Sequence, residues 1–106
     1  MTNFKQFDIS DHLKTQEDID HYINDAFEEI DNVEDDKEAT GLVLETLRTA
    51  ATAERKMSAI ARRADVGRES LYHSLNKDAN PSFRTILSAI RELGGNLRIT
   101  PRKAVA

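Results

Sequence analysis

Helical periodicity is the feature that most constrains this chain. Ile19, Tyr22, Ile23, Ala26, Phe27 and Ile30 fall at i, i+3, i+4, i+7, i+8 and i+11. That spacing predicts one apolar stripe on a helix over roughly residues 16–31. Thr15 followed by Asp18 has the form of a capping box, with an acid shorter than the usual Glu. Asn32 to Asp36 is a polar, acidic break. A second helix is predicted from about Lys37 to Ala53, on the stripe Ala39, Val43, Leu47, Ala50 and Ala51. Gly41 weakens it near its start, by ~1 kcal/mol relative to Ala. Phe83, Ile86, Leu87, Ile90 and Leu93 mark a last long helix, with Ser82 as N-cap and Gly94-Gly95 as stop. Ahead of these, Asp8 is placed to cap a brief helical turn ending near Leu13.

Met57 to Asn76 holds two shorter apolar faces. Ile60, Ala61 and Ala64 make the first, and Leu71 and Leu75 the second, with Val66 in the tight break between them. Two helices of about eight residues joined by three or four fit a helix-turn-helix. Ala61 lies where the helices cross and must be small. Ile60, Val66 and Leu71 are expected to fill the corner. Asp65 stands where such a turn commonly has Gly in a left-handed conformation, which Asp tolerates better than most residues. Gly67 is the expected N-cap of the second helix. An ordinary helical hairpin would show the same pattern.

Charge separates the chain into two unlike halves. Residues 1–46 carry three lysines against fourteen acids, a net of −11. Residues 47–106 carry twelve Lys/Arg against five acids, a net of +7. The halves are suited to partners of opposite sign. With Leu71 and Leu75 turned inward, Glu69, His73 and Asn76 face outward, Tyr72 lies at the flank and Arg68 at the N-terminal end. Arg and Asn make bidentate contacts to base edges. Arg68, Glu69, His73 and Asn76 are therefore expected to read bases, and Ser58, Arg62, Tyr72 and Lys77 to contact or flank phosphates.

Leu97 to Thr100 alternates apolar and polar and reads as a short strand stopped by Pro101. A lone strand needs a partner for its ladder groups. Pairing with the same strand of a second copy makes Leu97 and Ile99 dimer contacts, with Leu87, Ile90 or Leu93 adding apolar area. The competing partner is the Phe4–Phe7 segment of the same chain.

The runs Ser58-Ala59-Ile60-Ala61-Arg62, Arg68-Glu69-Ser70-Leu71-Tyr72-His73-Ser74-Leu75 and Asn80-Pro81-Ser82-Phe83 resemble the addiction-module antidote family. These are helix-turn-helix antitoxins of type II toxin–antitoxin pairs. Phe7-Asp8-Ile9 to Leu13 and the Tyr22 helix are also similar to that family's N-terminal part. Asp65 and Gly67 depart from the usual Gly and Ser of its turn. The resemblance implies a protein that neutralises a small ribonuclease-like toxin of the RelE/ParE type and represses its own operon.

The expected architecture is mainly α. It is a lambda-repressor-like five-helix bundle containing a helix-turn-helix, with a short C-terminal strand pairing across a homodimer. Residues 1–106 are read as one domain. Within it lie an acidic segment and helix (1–36), a helix-turn-helix bundle (37–95) and a dimerisation strand (96–101). The expected partners are operator DNA, a second copy and a cognate small basic toxin. The acidic half should hold the toxin, with Phe4, Phe7, Ile9 and Leu13 as apolar anchors among the carboxylates.

Enzyme readings find little support. His12, His21 and His73 lack metal-ligand spacing. Glu34-Asp35-Asp36 lacks the Gly and distal Glu of a calcium loop. There is no glycine-rich phosphate loop and no nucleophile elbow. No catalytic residue, metal or cofactor is expected. The absence of cysteine, of a long apolar run and of a secretory pattern at the N-terminus favours a cytoplasmic protein. Two other readings share some of these features. One is a stand-alone prophage-type helix-turn-helix regulator, which gene context would separate. The other is a purely protein-binding helical module, which a gel shift would separate.

Overall fold

The computed structural model describes residues 9–102. A short 3-10 turn, Ile9–His12, is followed by five α-helices. They are α1 (Gln16–Ile30), α2 (Asp36–Ala53), α3 (Met57–Ala64), α4 (Arg68–Ser74) and α5 (Phe83–Glu92). Each long helix begins where its capping residue dictates. At α1 the amide of Asp18 donates to Thr15 Oγ1 at 3.0 Å, and the amide of Thr15 donates to Asp18 Oδ2 at 3.1 Å, closing the capping box. Backbone amides of Thr15 and Lys14 hold the Asp18 carboxyl below its ordinary pKa. Ser82 caps α5 by accepting from the amide of Thr85 at 3.2 Å. The acidic break has a structural duty as well, because Asp35 caps α2 by accepting from the amide of Glu38 at 2.8 Å.

Chain reversals after α2, α3 and α5 share one device. A residue with positive φ follows the helix: Arg55 (φ 56°), Asp65 (φ 60°) and Gly94 (φ 83°). The next amide then bonds back to a carbonyl five residues earlier, as Lys56 to Ala51, Val66 to Ala61 and Gly95 to Ile90. These are Schellman closures, which satisfy orphan carbonyls at a helix end. Asp65 takes the left-handed conformation expected of it, and Gly67 is the N-cap of α4.

The central core joins α2, α3, α4 and α5 through Leu44, Leu47, Ala51, Met57, Ile60, Ala61, Leu71, Leu75 and Ala89. Helix α3 packs against both α4 and α5. Arg63 Nε donates to Glu92 Oε2 at 2.9 Å and ties α3 to α5 at the surface.

Several expectations need correcting. Val66 does not fill the corner between α3 and α4, because it is 36% exposed. Phe83 begins the predicted α5 stripe yet is 59% exposed, since it lies on the first turn. The α1 stripe is not a core stripe: only Ile19 is buried, and Tyr22, Ile23, Ala26, Phe27 and Ile30 are half-buried. Among the described elements, helix α1 packs mainly on α2.

No strand occurs among the described residues. Residues 95–102 are irregular, with Leu97 and Ile99 exposed. A strand that pairs only with another copy has nothing to pair with in a single chain. The Phe4–Phe7 alternative lies outside the described residues.

Candidate nucleic-acid interface

Helix α4 is placed by its two buried leucines. Leu71 and Leu75 are fully buried against α2, α3 and α5. At 100° per residue this turns Glu69, Ser70 and His73 most directly outward, with Asn76 beside them. Every residue from Asp65 to Ser70 is exposed, so the turn and the first part of α4 stand out from the body. Glu69, His73 and Asn76 are exposed, and so are Ser58 and Arg62 on α3.

Arg68 is not a free side chain. Its Nη2 donates to the Tyr72 hydroxyl at 3.3 Å, and its guanidinium carbon lies 5.3 Å from the centre of the Tyr72 ring. Tyr72 in turn packs against the core. A half-buried aromatic thus holds a cation at the helix surface through a cation–π contact. The cation keeps spare donors for an outside acceptor, because guanidinium carries five N–H groups.

Asn76 lies just past α4. Its Oδ1 accepts from the amide of Asp78 at 3.1 Å, which fixes the turn between α4 and α5. The residue is exposed. Lys77 has Lys37 and Arg48 of α2 nearby. It lines a shallow depression with Asp35, Glu38, Glu45 and Asp78, beside α2. The depression next to it brings Arg48 of α2 beside Asn76 and Lys77. Arg48 is exposed, and sequence reading had not singled it out. The available signal was its place on the exposed side of α2, where the basic half begins. Ser70 was also missed, although the same helical wheel turns it outward.

The expected anchors of the acidic half are divided. Phe4 and Phe7 lie outside the described residues. Ile9 is 43% exposed in the 3-10 turn, which packs on α2, and Leu13 is half-buried. Leu13 and His12 border a cleft with Glu17, Asp18, His21 and Tyr22 of α1. Among the described residues no group of His, Asp and Glu is arranged to hold a metal ion. No helix among them is long and apolar enough to cross a membrane.

Residues 3–101 match the model of a family described as probable addiction module antidote protein. The chain belongs to that family. A Haemophilus influenzae relative, described as an uncharacterized protein, is 39% identical over 89 residues, covering 84% of this chain and 82% of the relative. No solved structure matches. Membership in an antidote family suggests an antitoxin, which acts by binding a toxin.

Proposed function

We propose that this antidote-family chain is the antitoxin of a type II pair. It neutralises a small basic toxin of the RelE/ParE type by direct binding and represses its own operon by binding operator DNA. The match to an antidote family along nearly the whole chain carries the reading. In this proposal α3, the Asp65–Gly67 turn and α4 act as a helix-turn-helix of lambda-repressor-like kind. Arg68, Glu69, His73 and Asn76 read base edges. Ser58, Arg62, Tyr72 and Lys77 contact or flank phosphates, and Arg48 joins them because it borders Asn76. Ile9 and Leu13, with Phe4 and Phe7 ahead of them, touch the toxin. The protein acts in the cytoplasm and without a cofactor.

Co-expression with the product of the adjacent gene should give a complex that co-purifies. The chain alone should shift a fragment of its own upstream DNA, with affinity falling steeply as salt rises. No complex and no shift would overturn the proposal.

Operator binding in this reading is by a homodimer, because two half-sites need two recognition helices. Leu97 and Ile99 are exposed in the single chain, as residues reserved for a second copy would be. Removal of residues 97–106 should reduce the mass seen by light scattering at micromolar concentration to that of a monomer. A dimer that persists assigns the interface elsewhere.

A further inference from the structure

Arg68 and Tyr72 stand about one turn apart on α4 and about 40° from each other around its axis, so their side chains share a flank. Tyr72 is half-buried and packs against the core, while Arg68 is exposed. The ring is the fixed member of the pair, and the guanidinium is held by it. Two contacts do so: Nη2 donates to the Tyr72 hydroxyl at 3.3 Å, and the guanidinium carbon lies 5.3 Å from the ring centre. Among the described residues no carboxylate forms an ion pair with Arg68. Its charge is thus fixed in place against an aromatic side chain without being neutralised.

We infer that Tyr72 is a positioning residue, which aims Arg68 at the major-groove edge of a guanine in the operator half-site. The inference rests on the operator-binding reading and names the base that one side chain of that site takes. Donor geometry selects the base. Guanidinium carries its N–H groups in a rigid fork, and the bond to Tyr72 engages one of the two on Nη2. Whichever is engaged, the other still forms a parallel pair with an N–H of Nη1 or of Nε. Two parallel donors need two adjacent acceptors. Among the bases only guanine offers them in the major groove, as a ring nitrogen beside a carbonyl oxygen. Adenine sets an amino donor beside its ring nitrogen, thymine has a single acceptor and cytosine a donor. A phosphate also matches the fork, but the next residue is Glu69, which is exposed. A carboxylate there repels phosphate and accepts from a base amino group. Immobilising an arginine on binding costs rotamer entropy, and Tyr72 removes part of that cost before DNA arrives.

The test reads base discrimination and not affinity alone. The probe is the duplex of upstream DNA that the unaltered protein protects in a footprint, made with each protected guanine replaced in turn by 7-deazaguanine. That base keeps its pairing and lacks the ring nitrogen that Arg68 would meet. The measured quantity is the ratio of affinities for the unmodified and modified duplexes, which does not depend on how much of a variant is folded. For the unaltered chain it should be about tenfold at one guanine of each half-site, and close to one there for Arg68→Ala. Tyr72→Leu, which removes the ring, should lower it to about threefold or less. Tyr72→Phe, which keeps the ring, should restore most of it. If Tyr72→Leu does not fold, Tyr72→Met takes its place as the non-aromatic variant. A non-aromatic variant that weakens binding to both duplexes equally, with the ratio unchanged, would make Tyr72 a structural residue or a phosphate contact and overturn the inference. A ratio near one at every guanine for the unaltered chain, or a full ratio kept by Arg68→Ala, would overturn the guanine assignment with operator binding intact. If the unaltered chain protects no upstream DNA, the operator-binding reading falls and this inference with it.

Discussion

A chain carrying Arg68→Ala and Asn76→Ala together is expected to lose operator binding by on the order of 30-fold to 10,000-fold. Each bidentate base contact is worth roughly 1–3 kcal/mol, and about 1.4 kcal/mol is a factor of ten. The two side chains are eight residues apart, about 12 Å along a helical rise, so their losses should add. Arg68 begins with an advantage, because Tyr72 already holds its guanidinium at 3.3 Å and over its ring. Less rotamer freedom remains to be lost when it meets a base. Asn76→Ala also removes the bond to the amide of Asp78, worth about 1 kcal/mol to the folded chain. Thermal midpoints must therefore be read beside the gel shifts. Unchanged affinity of the double variant for its operator would show that α4 does not read bases.

Gly41→Val should lower stability by about 2–3 kcal/mol, the cost of overpacking a close contact. For a chain of this length that corresponds to a thermal midpoint lower by about 10–20 °C. Propensity alone predicts the opposite sign, because glycine inside a helix costs ~1 kcal/mol relative to Ala and Val ranks above it. Packing wins at this site. Gly41 is buried, and a Cβ there would come within 2.9 Å of the Lys77 carbonyl oxygen and 3.5 Å of Lys77 Cβ. The obstacle at 2.9 Å is backbone, which cannot rotate aside. Either α2 must withdraw or the turn after α4 must move. That turn holds Asn76 and Lys77, so affinity for operator DNA should fall with stability. A midpoint raised by the substitution would show that the turn yields freely.

Local physics made much of the chain legible. Thr15 and Asp18, Ser82, Asp65 and Gly94 each impose a conformation or a hydrogen bond on their neighbours, whatever the rest of the molecule does. The periodic stripes likewise fix where the long helices run. The short apolar faces around Ile60 and Leu71 marked the two small helices, and the quoted runs carried the family. Asp35 was legible in principle, since an acid just before a helix is a cap, but the surrounding acids concealed it.

The sequence by itself determined the helices, their ends, the separation of charge and the family. Only the tertiary structure decided which apolar residues are covered. Periodicity states that a face is apolar and not how much of it a neighbour reaches, so the stripes of α1 and α2 look alike although α2 lines the core and α1 buries only Ile19 among its residues. It also decided that Gly41 is required by the Lys77 backbone, that Arg48 comes beside Asn76, and that Arg63 is joined to Glu92 at a separation of 29 residues. These depend on distances between segments remote in sequence, which packing fixes and local pattern does not encode.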